Sequence, residues 1–178
     1  EVILTRQKDI YLSLPERCSI ANKSKGDIFI SIHMNANVSR EMCGTEVYIY
    51  GSRASNRLSK TIATRENMDM VSAKIVDDIL TDIEKKSDEN LSILLSGSIE
   101  DELVKNLGTN GKNSNLILRA PFYVLANTKI PSVLVEVAFI TNPEEEKKLK
   151  ENSFRKDAAA SILNGISNFL QSLEIKDI

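Results

Sequence analysis

Two short apolar runs constrain the fold of this chain most strongly. Residues 28–32 read Ile-Phe-Ile-Ser-Ile, and residues 133–135 read Val-Leu-Val. The first run is too continuously apolar for a strand with one face in water, so it predicts a strand buried on both faces, as in the centre of a parallel sheet. An ionisable residue directly follows each run, His33 after the first and Glu136 after the second.

Three further segments favour strands because they are rich in β-branched, aromatic or other apolar residues. These are residues 1–6, 44–50 and 122–125. The chain opens directly on the first of them, with no Met, leader or capping residue before it. We therefore expect the sequence to begin within the fold, with an upstream part of the domain absent from it.

Helical periodicity and capping residues predict the remaining elements. Ser13 and Glu16 form a capping box, and Asn142 precedes a Pro and two Glu in the same way that a helix cap does. The expected helices cover residues 14–25, three segments within 53–107, a segment that starts at 142–143, and residues 154–172, with a loop at 108–115.

Strands that alternate with helices predict the α/β class, with a mostly parallel or mixed sheet of about five strands flanked by helices. A length of 178 residues is typical of one domain, here residues 1–178. The net charge of -2 gives no electrostatic basis for a nucleic-acid partner, and no apolar run is long enough to span a membrane. Cys18 and Cys43 lack metal-binding spacing and are interpreted as free or buried thiols.

His33 and Glu136 are the candidate functional residues. The carboxyl ends of strands in an open parallel sheet meet at the crevice where such folds bind ligands, so the two side chains are expected to be neighbours. Each has an ordinary structural alternative: His33 as a core histidine bonded to a backbone carbonyl, and Glu136 in an ion pair with a cation such as Arg119. A lone His is not by itself a zinc signature, because a catalytic zinc usually takes three protein ligands.

Two motifs carry a family resemblance. Residues 31–36, SIHMNA, resemble the SIHxNA motif of the zinc-dependent N-acetylmuramoyl-L-alanine amidases of the amidase-3 type, which are bacterial peptidoglycan hydrolases. Residues 130–146, IPSVLVEVAFITNPEEE, are similar to that family's IPSVLVExxFxSNPxEE signature. Residues 2–6 and 14–22 resemble the VxLTR and LxxRxxxAN segments that precede SIHxNA in the family.

The resemblance implies a Zn2+ ion that is held by two His and one Glu, with a second Glu as general base. His33 matches the second zinc His, and Glu136 matches the catalytic Glu. The implied reaction cleaves the amide between the lactyl group of N-acetylmuramic acid and the L-alanine of the stem peptide. The first zinc His and the ligand Glu are expected upstream of residue 1, because His33 is the only His in the chain.

Residues 53–107 resemble the inserted helical segment of the division-associated amidases of diderm bacteria. In those relatives the insert covers the zinc cleft until an activator protein displaces it, which implies a regulatory insert here. Glu66, within Arg65-Glu66-Asn67, is the candidate blocking ligand of the metal; the alternative is a solvated charge on an amphipathic helix. The apolar positions of the insert are either core, which we favour for most of them, or the activator's docking face; they are Ile79, Ile83, Leu94 and Leu95.

Two further polar residues are interpreted with alternatives. Asn35 is a candidate substrate-binding residue or an ordinary turn residue after a strand, and Glu46 either supports the metal site or faces solvent opposite a Lys. The expected partners are the stem peptide and glycan of peptidoglycan, in the periplasm or elsewhere outside the cytoplasm. The rival functions are a catalytically inactive peptidoglycan-binding or regulatory domain without a complete zinc site, and another zinc peptidase.

Overall fold

The computed structural model describes residues 1–68, 84–108 and 117–174, with the backbone alone for 84–88. Within these ranges the strands are β1 (Phe29–Asn35), β2 (Glu46–Tyr50), β3 (Leu118–Ala120) and β4 (Ser132–Phe139). The helices are α1 (Leu14–Lys23), α2 (Arg57–Glu66), α3 (Glu84–Leu107), α4 (Tyr123–Ala126), α5 (Pro143–Lys150) and α6 (Asn152–Glu174).

The four strands form one mixed sheet in the order β1-β4-β2-β3. Strand β4 pairs in parallel with β1 and antiparallel with β2, and β2 pairs in parallel with β3. All eight residues of β4 are buried, so the apolar run that ends in Glu136 forms an inner strand of the sheet. The α/β class with a mixed sheet flanked by helices is confirmed.

Helices cover both faces of the sheet. On one face, α3 and α6 pack on the odd-numbered apolar positions of β2 and β4, which include Val47, Ile49, Val133, Val135 and Val137. On the other face, apolar residues of α1, α2 and the α4 region pack around Tyr48 and Leu134; they include Cys18, Ile62, Ala63 and Phe122. Side chains alternate along a strand, so Glu136 projects on the same side as Leu134.

Caps fix three helix starts, and two of these starts lie at the predicted positions. Glu16 accepts hydrogen bonds from the backbone N–H and the hydroxyl of Ser13, at 2.8 and 2.6 Å. Asn142 accepts from the N–H groups of Glu144 and Glu145 at the start of α5. At the start of α2, which the sequence placed only roughly, Asn56 accepts from the N–H of Ser59.

The expected central position of the 28–32 strand is wrong. Strand β1 is an edge strand of the described sheet, and the side chain of Ile32 is 55% exposed. The strand predicted at residues 1–6 is also wrong: this segment forms no strand, and Val2, Ile3 and Leu4 are exposed. Apolar composition alone makes no strand where no neighbouring strand supplies hydrogen bonds.

The strand predicted at 122–125 is a helix, α4, and the strand lies before it at Leu118–Ala120. Phe122, Val124 and Leu125 are all buried, and a short apolar run does not distinguish a buried strand from a buried helical turn. The described sheet therefore has four strands rather than about five. Of the three helices expected in 53–107, two lie within the described residues, α2 and α3; Ile79, Ile83 and most of the 108–115 loop lie outside them.

Leu94 and Leu95 of α3 belong to the core, Leu95 fully buried and Leu94 partly buried against it, as favoured from the sequence. The described helices include no segment long and apolar enough for a membrane crossing.

Candidate metal centre

Three side chains from three elements converge at one end of the sheet. His33 and Glu136 are register partners in the β1–β4 pairing, and Glu66 is the last residue of α2. Glu66 Oε2 lies 2.9 Å from His33 Nδ1. One donor atom from each of His33, Glu66 and Glu136 falls within 4.8 Å of the other two. The structure therefore brings together all three candidate zinc-site residues of the sequence analysis.

Glu136 is fully buried, and among the described residues neither of its carboxylate oxygens has a hydrogen-bond partner. Burial raises the pKa of this carboxyl to about 7, with the charges of Glu66 and Glu46 adding to the shift and those of His33 and Arg65 opposing it. Arg65 Nη2 lies 3.8 Å from Glu136 Oε1. A buried carboxylate without donors costs several kcal/mol, so this position favours a bound cation.

Glu136 has an Arg at ion-pair distance, as the structural alternative expected, but this residue is Arg65 rather than Arg119. Arg119 Nη1 lies 2.6 Å from Glu89 Oε1, on α3, and also donates to the backbone oxygen of Tyr50. Arg119 belongs to β3, which is separated from β4 by β2 in the sheet. The guanidinium that approaches Glu136 is that of Arg65, which the sequence analysis did not single out.

His33 is not a core histidine bonded to a backbone carbonyl. Its side chain is 28% exposed, its Nε2 lies 2.9 Å from Ser31 Oγ, and its Nδ1 faces Glu66. The Ser31 hydroxyl holds the ring in one orientation, which is the usual arrangement for a metal-binding imidazole whose second nitrogen is hydrogen-bonded. His33 and Glu66 both line a groove of about 680 Å³ that runs along β1.

Glu66 is not a solvated charge on an outward-facing helical surface. Burial by itself would raise the pKa of Glu66, but the hydrogen bond and charge of His33, together with those of Arg65, outweigh it and lower the pKa. Glu66 is therefore held as a carboxylate, the form that ligates a metal. Its role as a blocking ligand stays a prediction.

The fully buried Asn35 and the partly buried Glu46 are hydrogen-bonded to each other next to Glu136. Glu46 is the register partner of Glu136 on β2, and its Oε2 accepts hydrogen bonds from Asn35 Nδ2 and Tyr48 Oη, both at 2.9 Å. Burial raises the pKa of Glu46, and these two bonds oppose that shift. Glu46 thus does not face solvent opposite a Lys. Asn35 is fully buried and bonds to protein groups, so a direct contact with substrate stays a prediction.

Arg65 connects the pieces of the site. Its Nε donates to Glu66 Oε1 at 2.9 Å, its Nη1 to the backbone oxygen of Ala36 at 2.6 Å, and its Nη2 to Asn35 Oδ1 at 3.3 Å. In the sequence, the only sign of a role for Arg65 is its place beside Glu66 in the last turn of a helix. Its contacts with residues 30 positions away were not visible in that pattern.

The donor set fits a zinc ion. An imidazole nitrogen and carboxylate oxygens are ordinary zinc ligands. A nearby cation would explain why neither oxygen of Glu136 has a hydrogen bond within the described part of the chain. The clustered residues also include a carboxyl with a raised pKa beside a groove, which is typical of functional sites.

Comparison with known proteins gives a consistent result. AmiC of Escherichia coli O6:H1, an N-acetylmuramoyl-L-alanine amidase, is 34% identical over 95% of this chain and 42% of its own length. AmiA of Salmonella typhimurium, also named as this amidase, is 34% identical over 93% of the chain and 60% of its own length. The chain thus spans about half the length of these curated relatives.

Solved structures show the same fold. The catalytic domain of CwlV, an N-acetylmuramoyl-L-alanine amidase from Bacillus (Paenibacillus) polymyxa, matches with a TM-score of 0.65 and 26% identity over 96% of this chain and 73% of that one. An amidase from Clostridium difficile 630 matches with a TM-score of 0.68 at 24% identity, over 97% of this chain and 73% of that one. Residues 1–168 match the amidase-3 family profile. The chain therefore belongs to the N-acetylmuramoyl-L-alanine amidase family of the amidase-3 type.

Proposed function

We propose that this chain is the catalytic domain of a zinc-dependent N-acetylmuramoyl-L-alanine amidase. It hydrolyses the amide between the lactyl group of N-acetylmuramic acid and the L-alanine of the stem peptide. The observation that carries the proposal is the cluster of His33, Glu66 and Glu136, whose donor atoms lie within 4.8 Å of one another. Membership in the family supports the substrate class.

In this proposal His33 is a zinc ligand, and the bond between its Nε2 and Ser31 leaves Nδ1 as the nitrogen that faces Glu66. When bound, zinc lowers the pKa of a water ligand towards 7 and polarises the carbonyl under attack. The hydrogen bond between Asn35 and Glu46 fixes the end of β1 next to the cluster.

Glu136 is the general base. Its carboxylate accepts the proton of the attacking water and afterwards releases it to the leaving amine nitrogen. Its full burial keeps bulk water from competing for this proton. Arg65, 3.8 Å from Glu136 Oε1, stabilises the charged form that begins each cycle.

Glu66 blocks the site in the resting protein. Its carboxylate occupies a position next to His33 where water or the substrate carbonyl must enter. In this proposal, residues 53–107 act as a regulatory insert, and an activator protein that moves the last turn of α2 withdraws Glu66 and opens the site. One structural relative, the CwlD amidase of Clostridioides difficile, was solved in complex with the GerS lipoprotein.

The proposed substrate, peptidoglycan, implies a location in the periplasm or elsewhere outside the cytoplasm. The proposed role is in cell separation and wall remodelling.

The test combines zinc analysis with hydrolysis of purified peptidoglycan. In the full-length protein we expect about one zinc per chain, release of free L-alanine amino termini, and loss of both in His33→Ala. Glu66→Ala should raise basal hydrolysis several-fold, whereas Thr64→Ala, an exposed position of the same helix, should not. No zinc and no hydrolysis in the wild-type protein would instead support the inactive binding domain. Bound zinc with unchanged basal activity in Glu66→Ala would refute the blocking role alone.

A further inference from the structure

Three consecutive residues at the end of α2 contact three different parts of the fold. Arg65 binds the end of β1 through Ala36 and Asn35, and Glu66 binds His33. Asn67 binds the turn between β3 and α4. The blocking carboxylate therefore lies between two anchored neighbours, and each neighbour limits how far the last turn of α2 moves.

Asn67 makes a two-bond bridge to backbone groups. Its Nδ2 donates to the backbone oxygen of Pro121 at 2.7 Å, and its Oδ1 accepts from the backbone N–H of Tyr123 at 2.9 Å. The backbone N–H of Asn67 itself donates to the oxygen of Ala63, so the residue also closes the last turn of the helix. Two hydrogen bonds of its side chain and one of its backbone N–H thus fix Asn67, the residue that follows Glu66.

The turn that Asn67 holds is itself well anchored. Phe122 is buried and packs edge-on against Tyr48, with ring centroids 5.2 Å apart, and Val124 and Leu125 are buried in the same core. The bridge therefore connects the end of α2 to a turn that is anchored in the core. Arg65 differs, because its guanidinium contacts Glu66 directly and approaches Glu136, so it belongs to the site itself.

We propose that Asn67 is a positioning residue that holds Glu66 in its blocking position through the bridge to Pro121 and Tyr123. The proposal rests on the proposed function, since it assigns the residue that sets the resting position of the blocking carboxylate. Without the bridge, α2 stays docked through the buried Ile62 and Ala63, but its last turn is no longer fixed. Glu66 then leaves His33 more often, and the site is open for a larger fraction of the time.

The experiment measures basal peptidoglycan hydrolysis and zinc affinity in Asn67→Ala, Glu66→Ala and the double variant, all as zinc-loaded protein. Loss of two hydrogen bonds should raise basal hydrolysis about tenfold in Asn67→Ala. Because Asn67 acts through Glu66, the double variant should equal Glu66→Ala in both rate and zinc affinity. Asn56→Ala is the matched control: it removes the cap at the other end of α2 and weakens the helix without touching the bridge, so its basal rate should stay that of the wild type.

Three results overturn the proposal while leaving the proposed function intact: an unchanged rate in Asn67→Ala where Glu66→Ala is activated, full additivity of the two changes, or equal activation by Asn56→Ala. No activation in Glu66→Ala itself would instead refute the blocking role on which the proposal rests. If Asn67→Ala does not fold, hydrogen exchange of backbone amides in the wild-type protein tests whether the Asn67 bridge is formed. The Tyr123 N–H should exchange slowly, and fast exchange there would show that the bridge is not formed.

Discussion

His33 and Glu136 are direct register partners across the parallel β1–β4 pairing, yet their surroundings differ sharply. Glu136 belongs to an inner strand and is fully buried, whereas His33 belongs to an edge strand and is 28% exposed. One pairing thus places a desolvated carboxyl beside an accessible imidazole. This difference supports distinct roles for the two residues, the buried one in proton transfer and the accessible one in metal binding.

The first prediction concerns Glu136→Gln. The amide keeps the shape of the side chain but accepts no proton, so the rate of peptidoglycan hydrolysis should fall by about 10² to 10⁴ while the protein stays folded.

The same variant tests the pH dependence of stability. Burial raises the pKa of Glu136 from 4.5 to about 7 in the folded protein. The folded state therefore binds this proton more tightly than the unfolded state does. The free energy of unfolding of the metal-free protein should fall as the pH rises from about 4.5 to 7.

The decrease should reach about 3 kcal/mol above pH 7 and be absent below about pH 4.5. Glu136→Gln should lack this component, so in chelator the variant becomes more stable than the wild type as the pH rises. Urea unfolding at pH 5, 6, 7 and 8 measures the difference. Asp27→Asn, at an exposed carboxyl, is the control and should show the wild-type slope. If the unfolding free energies of the wild type and Glu136→Gln changed with pH in parallel, the raised pKa of Glu136 would be contradicted.

Sequence patterns predicted the elements that carry local signals. The capping box at Ser13 and the Asn142 cap start helices as expected, because a cap is set by neighbouring residues alone. Strand positions depend on partners distant in sequence. The segment 1–6 has strand composition without a described partner strand, and 122–125 is buried as a helical turn.

The residues of the site also divide into those that a local sequence pattern identified and those that it missed. His33 and Glu136 were identifiable because each ends an apolar run, and Glu66 was identified only through the family resemblance. Arg65 and Asn67 were missed as functional candidates, since their partners lie 29 to 56 residues away along the chain. A charged or amide side chain at a helix end is usually solvated or a cap, so the pattern itself gave no reason to expect tertiary bonds.

A second prediction separates the proposed zinc ligand, His33, from the residue proposed to orient it, Ser31. His33→Ala should weaken zinc binding more than 100-fold, whereas Ser31→Ala should weaken it by about 10-fold, as expected for loss of a hydrogen bond to a ligand. Competition with a chromogenic chelator measures both constants. Equal effects of the two changes would contradict the assignment of His33 as the ligand and Ser31 as its support.

A third prediction concerns Glu145, a buried carboxylate on α5. Its two oxygens accept from the backbone N–H groups of Gly44, at 2.8 Å, and Phe139, at 2.6 Å. Glu145→Ala leaves both donors unpaired and should cost about 3 kcal/mol of unfolding free energy. Glu144→Ala is the control, because Glu144 is exposed and its ion pair with Lys147 lies at the surface, where such pairs contribute little to stability. Urea unfolding compares them, and equal midpoints would contradict the role of the buried bonds.

The last prediction concerns two glycines in the helices that pack on the sheet. A Cβ at Gly165 of α6 would lie 2.6 Å from Ile99 Cα of α3, so the two helices approach too closely for any side chain there. Gly165→Ala should push the helices apart and cost about 2 kcal/mol or more of unfolding free energy. A Cβ at Gly97 of α3 would meet nothing within 4 Å, and Gly97→Ala should stabilise the protein by about 0.5–1 kcal/mol, because Ala loses less backbone entropy in a helix. The thermal and urea unfolding midpoints should therefore fall in Gly165→Ala and rise in Gly97→Ala. A stable Gly165→Ala protein with an unchanged midpoint would show that the contact between α3 and α6 is looser than the structure has it.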